Sequence, residues 1–126
     1  MYGYKRQIDG TYDQVKQKAT EELAKEGFGI LTEIDVKATL KKKMDVDFDK
    51  YVILGACNPP FAYEALKAER DIGLLLPCNV IVYEQEGKTY ASAIVPTVAM
   101  SAVENRGLGE IALQVEQKLK KVIDSI

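Results

Sequence analysis

One segment of this chain, residues 51–84, constrains the fold more than any other. It contains both cysteines and three of the four prolines, in YVILGACNPPFAYEALKAERDIGLLLPCNVIVYE. Its apolar runs Tyr51–Ala56 and Asn79–Gln85 are short enough to be buried strands. Between them, Asn58-Pro59 is a favourable helix start, because proline has no N–H to leave unpaired at the first helical position. The pattern predicts a strand, a helix over Pro59–Arg70, and a second strand.

Each cysteine is followed by an asparagine and lies beside a proline, at the end of the first run and at the start of the second. Parallel strands would separate the two cysteines by roughly 20 Å, whereas antiparallel neighbours would bring them together. A helix of about twelve residues covers roughly 18 Å, and an extended Ile72–Pro77 segment can return that distance. We therefore predict antiparallel strands, with the α-carbons of Cys57 and Cys78 within about 10 Å of each other. Both sulfurs should face a concavity bordered by Asn58 and Asn79.

The remaining segments alternate between strand and helix signals. Tyr2–Ile8 and Phe28–Ile34 are typical of strands, and Thr11 with Gln14 matches a capping box at the start of a helix. Glu86-Gly87 is a tight-turn signal between two further strands. We predict a single α+β domain over residues 1–126, with a mostly antiparallel sheet of about five strands and helices packed on one face. The β-α-β spacing alone favours parallel neighbours, so strands three and four decide between this fold and a doubly wound sheet.

Three apolar patterns predict which segments are buried. A helix capped by Asp35 would bury the stripe Val36, Leu40 and Met44. The run Leu74–Leu76 is expected in the core. The clearest amphipathic helix is C-terminal, and its stripe at spacings of three and four consists of Leu108, Ile111, Val115, Leu119, Val122 and Ile126.

Histidine is absent, which excludes several classes of site. Ser-His-Asp triads, Cys-His dyads and the usual histidine-ligated zinc, haem and iron centres cannot form within this chain. The 17 basic and 19 acidic residues give a net charge of −2, so we expect no nucleic-acid partner and no membrane partner. No stretch is typical of a leader or a membrane span, and we expect a cytoplasmic protein with reduced cysteines.

The two Cys-Asn motifs also resemble a known family. GACNPPFAYEAL, followed further along the chain by LLLPCNVIVYE, is similar to the family called domain of unknown function number three hundred and two. Pro96 and Met100 match a later Pro-x-x-x-Met element of that family. The resemblance covers essentially the whole chain and implies a small α+β domain, often dimeric, whose activity is not established. We expect a homodimer on this basis, and because Ile94 and Val95 are apolar residues expected at a sheet edge.

The cysteines have one functional and one plain interpretation. Cys57, just before the predicted helix, would feel the positive end of the helix dipole, which favours the thiolate. With Cys78 and Met100 it would form a soft ligand set that suits copper(I). Alternatively, both cysteines are small buried hydrophobes and Met100 fills space in the core.

The asparagines also have two interpretations. Asn58 can cap the helix that begins at Pro59, and Asn79 can bond a backbone group in the turn after Pro77. Alternatively, both amides frame a small pocket between the motifs and hydrogen-bond a ligand.

Three functions remain open at this point. We predict first a small-ligand-binding module whose ligand contacts Cys57, Asn58, Pro59, Pro77, Cys78 and Asn79. The alternatives are a thiol-based redox or sulfur-handling enzyme, and a copper(I) binder that uses Cys57, Cys78 and Met100. The residues identify neither a cofactor nor a catalytic group.

Overall fold

The computed structural model describes residues 1–126 and contains one five-stranded sheet. The strands are β1 (Gly3–Ile8), β2 (Gly29–Asp35), β3 (Tyr51–Cys57), β4 (Cys78–Gln85) and β5 (Lys88–Ile94). Their order across the sheet is β1-β5-β4-β3-β2, and every neighbouring pair is antiparallel. The predicted α+β fold is confirmed, and the parallel arrangement of strands three and four is excluded.

Five helices and one 3-10 turn connect the strands. They are α1 (Tyr12–Lys25), α2 (Val36–Met44), α3 (Pro59–Ala68), the 3-10 turn Arg70–Leu75, α4 (Pro96–Ala99) and α5 (Arg106–Ser125). Helices α1 and α5 pack across one face of the sheet, while α3 and α4 pack against α5. No helix combines the length and the apolar composition that crossing a bilayer requires.

Local sequence signals explain where several elements begin and end. Thr11 Oγ1 accepts a hydrogen bond from Gln14 N at 3.2 Å, and Gln14 Oε1 accepts one from Thr11 N at 3.0 Å. The predicted capping box therefore starts α1. Gly27 follows the end of α1 with a φ of 87°, a conformation that costs glycine little. Glu86 and Gly87 both have positive φ in the tight turn between β4 and β5.

The core lies between the sheet and helices α1 and α5. Alternate residues of the three central strands point into it and are almost fully buried: Val52, Leu54, Val80, Val82, Ala91 and Ala93. The two helices contribute Ala19, Leu23, Leu119 and Ile123 from their apolar stripes. Each large aliphatic side chain buried in this way contributes about 1.5–3 kcal/mol to stability. The small side chains of Ala91 and Ala93 let α5 approach β5 closely.

The opposite side of the sheet, which we call the open face, carries Tyr51, Ile53, Ile81, Tyr83 and Tyr90. The three tyrosines stack across β3, β4 and β5, and the ring centroids of each neighbouring pair are 5.2 Å apart. Ile53 and Ile81 are direct partners on β3 and β4 and are half-buried. The open face is therefore apolar but retains solvent contact.

The predicted burial of α2 is wrong. The helix does begin after Asp35, whose side chain accepts a hydrogen bond from Ala38 N at 2.9 Å, and it ends at Met44 as expected. It buries no residue, however, and Met44 is 66% exposed. The reason is the position of α2, which packs mainly against β2 and β3 at one side of the sheet, while α1 and α5 already cover the core.

The expected burial of Leu74–Leu76 is also wrong. Helix α3 ends at Ala68, short of Arg70, and a separate 3-10 turn follows. Within that turn Ile72 is the buried anchor, at 1% exposure, whereas Leu74 is 88% exposed. Leu76 is half-buried. Leu74 and Leu75 lie in the tight 3-10 turn, which directs Ile72 rather than these two side chains into the core, and only Leu76, extended just after the turn, is partly covered.

The residues expected at a sheet edge lie elsewhere. Strand β5 is an interior strand, because β1 pairs with it on the side away from β4. Ile94 is half-buried in that strand, and Val95 is buried just after it. The predicted edge position of both residues is wrong, and packing within the chain explains their apolar character.

Candidate functional site

The register of β3 and β4 brings the two Cys-Asn motifs to the same end of the sheet. Strand β3 ends at Cys57, β4 begins at Cys78, and Ala56 is the direct partner of Cys78. Directly opposite residues of an antiparallel pair have α-carbons about 4.5–5.5 Å apart, so Cys57 and Cys78 are near neighbours. The predicted proximity of the two cysteines is confirmed. Both thiols are free.

A cavity of about 350 Å³ lies between this end of the sheet and helices α3 and α5. Fifteen of its 19 lining residues are hydrophobic, and none is charged. The lining consists of Phe28, Leu31, Ala56, Cys57, Asn58, Phe61, Ala62, Ala65, Leu66, Gly73, Leu76, Pro77, Cys78, Pro96, Met100, Leu108, Ile111, Ala112 and Val115. Leu31 and Leu66 are also exposed to solvent, so they mark its mouth.

Gly55 lets the second motif pack tightly against the first. A β-carbon at this position would collide with Thr32 Oγ1 and would lie 2.9 Å from Pro77 Cγ. The proline ring therefore occupies space that any other residue at position 55 would fill. This close approach fixes Pro77, and with it the start of β4, beside the end of β3.

Cys78 is the more buried of the two thiols. Only 9% of the residue is exposed, whereas Cys57 is half-buried. Burial, and secondarily the proximity of Cys57, raises the pKa of Cys78 to about 11. Cys78 is therefore protonated at neutral pH and forms a weakly polar part of the cavity wall. This opposes a reactive thiolate at Cys78 and leaves Cys57 as the candidate nucleophile.

Asn58 lines the cavity and is only 8% exposed. It precedes α3, but the prediction that its side chain caps this helix is wrong, because the side chain makes no capping hydrogen bond. Its Nδ2 instead donates to the Glu26 carbonyl oxygen at 3.0 Å. The adjacent Gly27 leaves room for the amide, since a β-carbon there would lie 3.2 Å from Nδ2. Asn58 thus ties the end of α1 to the start of α3.

Asn79 and Pro59 do not line the cavity. Asn79 is the second residue of β4, and strand alternation turns it away from the core-facing Cys78 and Val80. Its side chain is exposed, so the expectation that it borders the concavity is wrong. Pro59 is exposed at the first turn of α3. Of the six residues predicted to contact a ligand, the cavity brings together Cys57, Asn58, Pro77 and Cys78.

The family model for "Domain of unknown function DUF302" matches residues 4–126. The chain belongs to this family. Among solved structures, it is similar to the crystal structure of an uncharacterised conserved DUF302 protein from Bacillus stearothermophilus. The two chains are 31% identical, with a TM-score of 0.93, and the match covers 99% of this chain and 98% of the other. No curated protein matches the chain.

In this DUF302 protein, Met100 completes a group of three sulfur atoms around the cavity. It packs against a small cluster formed by Ala65, Ile72 and Leu108, and it lines the same space as Cys57 and Cys78. The chain contains no group of three or more cysteine, aspartate or glutamate side chains arranged to hold a metal ion. A metal bound here would depend on the methionine thioether as its third ligand.

One buried carboxylate holds the α4 wall of the cavity in place. Glu116 Oε1, on α5, accepts hydrogen bonds from Thr97 N at 3.1 Å and from Thr97 Oγ1 at 2.5 Å. Lys120 Nζ donates to the other carboxylate oxygen at 3.3 Å. Thr97 lies between Pro96 and Met100, both of which line the cavity. Glu116 therefore positions this wall without contacting the cavity itself.

Sequence reasoning missed the α5 contribution to the DUF302 cavity. Leu108, Ile111, Ala112 and Val115 all line it. Three of them, Leu108, Ile111 and Val115, belong to the apolar stripe that predicts α5. The available signal was the stripe itself, but a stripe does not distinguish a filled core from the wall of a cavity.

Proposed function

We propose that this DUF302 protein is a binding module for a small, apolar, uncharged ligand held in the cavity at the Cys-Asn motifs. The observation that carries the proposal is the cavity itself, about 350 Å³ in volume with 15 hydrophobic residues among 19. Ligand sites in proteins have volumes of about 300–1,000 Å³ and are mostly apolar with a few convergent polar groups. The polar groups here are the Asn58 amide and the thiols of Cys57 and Cys78.

The absence of charge in the lining determines the class of ligand. A charged ligand would lose its hydration on entry and would meet no side chain of opposite charge. An apolar molecule gains about 25 cal/mol for each Å² of its surface that leaves water. Sulfur atoms in the wall add favourable contacts with aromatic rings, each worth about 0.3–1.5 kcal/mol. The site therefore favours a neutral molecule with a large apolar part.

Titration with the neutral fluorophore N-phenyl-1-naphthylamine tests this proposal, because its emission rises when it leaves water. Ala62 lines the cavity from α3, so Ala62→Phe should fill part of it and weaken binding by at least about tenfold, or 1.4 kcal/mol. Ala24→Phe is the matched control, since Ala24 is exposed on α1 and does not line the cavity. No saturable binding by the wild type, or equal binding by both variants, would refute the proposal.

A copper(I) site is the second candidate, favoured by the sharing of one cavity by Cys57, Cys78 and Met100. Binding would have to displace the proton that burial keeps on Cys78, which makes it steeply dependent on pH. An anaerobic copper(I) titration at neutral pH should then give one equivalent per chain, lost in both Cys57→Ser and Cys78→Ser. The absence of stoichiometric binding would remove this candidate. The thiol-enzyme alternative rests on Cys57 alone.

We also propose that the protein is a homodimer that pairs through the open face. The helices of the chain cover the other face, so Ile53 and Ile81 on the open face stay partly exposed. They lie beside the three stacked tyrosines of that face. Light scattering at micromolar concentration should give twice the 14.0 kDa of one chain, and Ile81→Lys should restore the monomer. A wild-type species of 14.0 kDa alone would exclude a stable dimer. The cytoplasmic location and the absence of a nucleic-acid partner stay predictions.

A further inference from the structure

We infer that the ligand carries a neutral group that both donates and accepts hydrogen bonds, such as a hydroxyl or a carboxamide, and that this group binds between Asn58 Oδ1 and the backbone N–H of Phe61. The inference rests on the proposed function, because it concerns the same cavity. It narrows an apolar ligand to one with a single head group of this kind.

The orientation of the Asn58 amide is fixed by its neighbour. The Glu26 carbonyl oxygen can only accept a hydrogen bond, and it lies 3.0 Å from Nδ2. Exchanging the amide oxygen and nitrogen would bring two acceptors together. Oδ1 is therefore the free end of the side chain, and it accepts no hydrogen bond within the protein.

Oδ1 remains accessible although Asn58 is nine-tenths buried. Every fully buried side-chain nitrogen or oxygen in the structure has a hydrogen-bond partner, so an atom without one retains some open surface. Asn58 is 8% exposed, and it lines the cavity. Asn58 thus contributes an acceptor without a partner to the wall of an otherwise apolar space.

A donor without a partner lies one turn along the chain. Helix α3 begins with Pro59 and Pro60, which have no N–H, so the amide of Phe61 is the first donor of the helix. The next amide, Ala62 N, donates to the Asn58 carbonyl oxygen at 2.9 Å, whereas Phe61 N has no partner. Phe61 also lines the cavity. The Phe61 N–H would normally be satisfied by the cap side chain, and Asn58 is held elsewhere by Glu26.

The pairing of one acceptor with one donor discriminates between head groups. A hydrocarbon would leave both unpaired, and an ether, which only accepts, would leave Oδ1 unpaired. A carboxylate would place its negative charge against Oδ1, which cannot turn away. A hydroxyl or a carboxamide can donate to Oδ1 and accept from Phe61 N–H at the same time. The site therefore selects a neutral donor–acceptor group over both an ether and an anion.

Three probes of one ring system test this selection at pH 7: 2-naphthol, 2-methoxynaphthalene and 2-naphthoate. We expect the ratio of the methoxynaphthalene and naphthol dissociation constants to be about tenfold larger in the wild type than in Asn58→Leu, which has the same branched skeleton but no acceptor. Taking this ratio in each protein cancels the different hydrophobicities of the probes. Asn79→Leu, the matched control in the second motif, should keep the wild-type ratio.

The outcomes separate the two proposals. If no neutral probe binds, the proposed function fails. If both neutral probes bind and the ratio is the same in the wild type and in Asn58→Leu, the cavity is a ligand site but the head-group inference is wrong. Tighter binding of 2-naphthoate than of 2-naphthol would also overturn the head-group inference. If Asn58→Leu does not fold, the NMR chemical shift of the Phe61 amide proton in the wild type tests the same inference. We expect 2-naphthol to change this shift more than 2-methoxynaphthalene does at equal saturation. Equal changes would overturn the inference.

Discussion

The two Cys-Asn motifs have the same residues in the same order, but the fold uses them in opposite ways. In the first, Asn58 is buried in the cavity wall while Cys57 is only half-buried. In the second, Cys78 is buried in the wall and Asn79 is exposed. One dipeptide therefore supplies the polar group of the site, and the other supplies a neutral thiol.

The difference follows from where each motif falls in its strand. Cys78 and Asn79 both lie inside β4, where successive side chains point to opposite faces, so only one of them can face the helices. Asn58 directly follows β3 and still has extended dihedrals (φ −105°, ψ 99°), so alternation places it on the helix-covered side with Leu54 and Ala56. Asn58 therefore points inward, where its amide reaches the Glu26 carbonyl. The phase of each motif in its strand, rather than residue type, determines which of its side chains is buried in the cavity wall.

Thiol reactivity should show the largest difference between the motifs. The pKa of Cys78 is raised from 9.0 to about 11, which lowers its thiolate fraction near neutral pH about a hundredfold. In Cys57→Ser, Cys78 is the only thiol. We expect iodoacetamide at pH 8 to alkylate the folded variant at least about a hundredfold more slowly than the same variant unfolded in urea. The rate should keep rising with pH up to about 11.

Cys78→Ser, in which Cys57 is the only thiol, is the matched measurement. We expect the half-buried Cys57 to react faster than Cys78 under the same conditions. Equal rates for the two folded variants would contradict the assigned burial of the second motif.

Substitution of Gly55 should disturb both motifs at once. In Gly55→Ala the new β-carbon would collide with Thr32 Oγ1 and press on Pro77 Cγ, and overpacking of this kind costs about 1–3 kcal/mol. We expect the free energy of unfolding in urea to fall by about that amount. Gly29→Ala is the control in the neighbouring strand, because no atom lies within 4 Å of its added β-carbon. Equal losses in the two variants would show that Pro77 does not pack on Gly55 as described.

Alanine substitutions of the two asparagines compare the motifs directly. Asn58→Ala removes the donor to the Glu26 carbonyl and should cost about 1–3 kcal/mol of stability. Asn79→Ala removes an exposed side chain and should change stability by less than about 0.5 kcal/mol. Chemical denaturation of the two variants in parallel checks both values. A larger loss in Asn79→Ala would reverse the roles assigned to the asparagines.

The smallest expected effect concerns Glu116, which holds α4 next to both motifs. Burial alone would raise the pKa of Glu116, but hydrogen bonds from Thr97 and Lys120 outweigh it and keep the pKa below its usual value. Its contribution to stability is therefore present above the unfolded-state pKa of about 4.3, and is lost as the pH falls through the lower folded-state value.

Glu116→Gln weakens these hydrogen bonds and should cost about 1 kcal/mol at pH 7. The deficit should shrink below about pH 4, where the wild-type carboxylate is itself protonated. Glu110→Gln is the control, because Glu110 is exposed on the same helix. Urea denaturation between pH 3 and 7 measures both variants. A deficit that does not change with pH would contradict the anchoring role of the carboxylate.

Periodicity predicted both α5 and α2 correctly as helices and predicted a buried stripe for each, but the burial is correct only for α5. The stripe of α5 is long enough to cross the sheet, and Leu108, Leu119 and Val122 are fully buried in it. Helix α2 has only nine residues, packs mainly against β2 and β3, and buries none of them. An apolar stripe shows that a helix can be buried on one side, while the neighbours that would bury it depend on topology.

The candidate site was predictable to a similar extent. Cysteines and prolines at strand ends are rare enough to draw attention, and the antiparallel geometry of β3 and β4 brought Cys57 and Cys78 together as predicted. The hydrogen bond of Asn58 was not predictable, because its acceptor, the Glu26 carbonyl, lies 32 residues away in the sequence. The wall from α5 was also missed, since its side chains are ordinary apolar residues.

The side-chain amides of Asn58 and Asn79 provide the most direct test that the cavity is the ligand site. In ¹H–¹⁵N spectra of the protein titrated with 2-naphthol, we predict saturable shifts of the Asn58 side-chain amide and of the backbone amides of Phe61 and Ala112. The Asn79 side-chain amide and the backbone amide of Tyr83 on the open face should not move. Shifts at Asn79 and Tyr83 with Asn58 unchanged would contradict the account, because the ligand would then bind on the opposite side of the sheet.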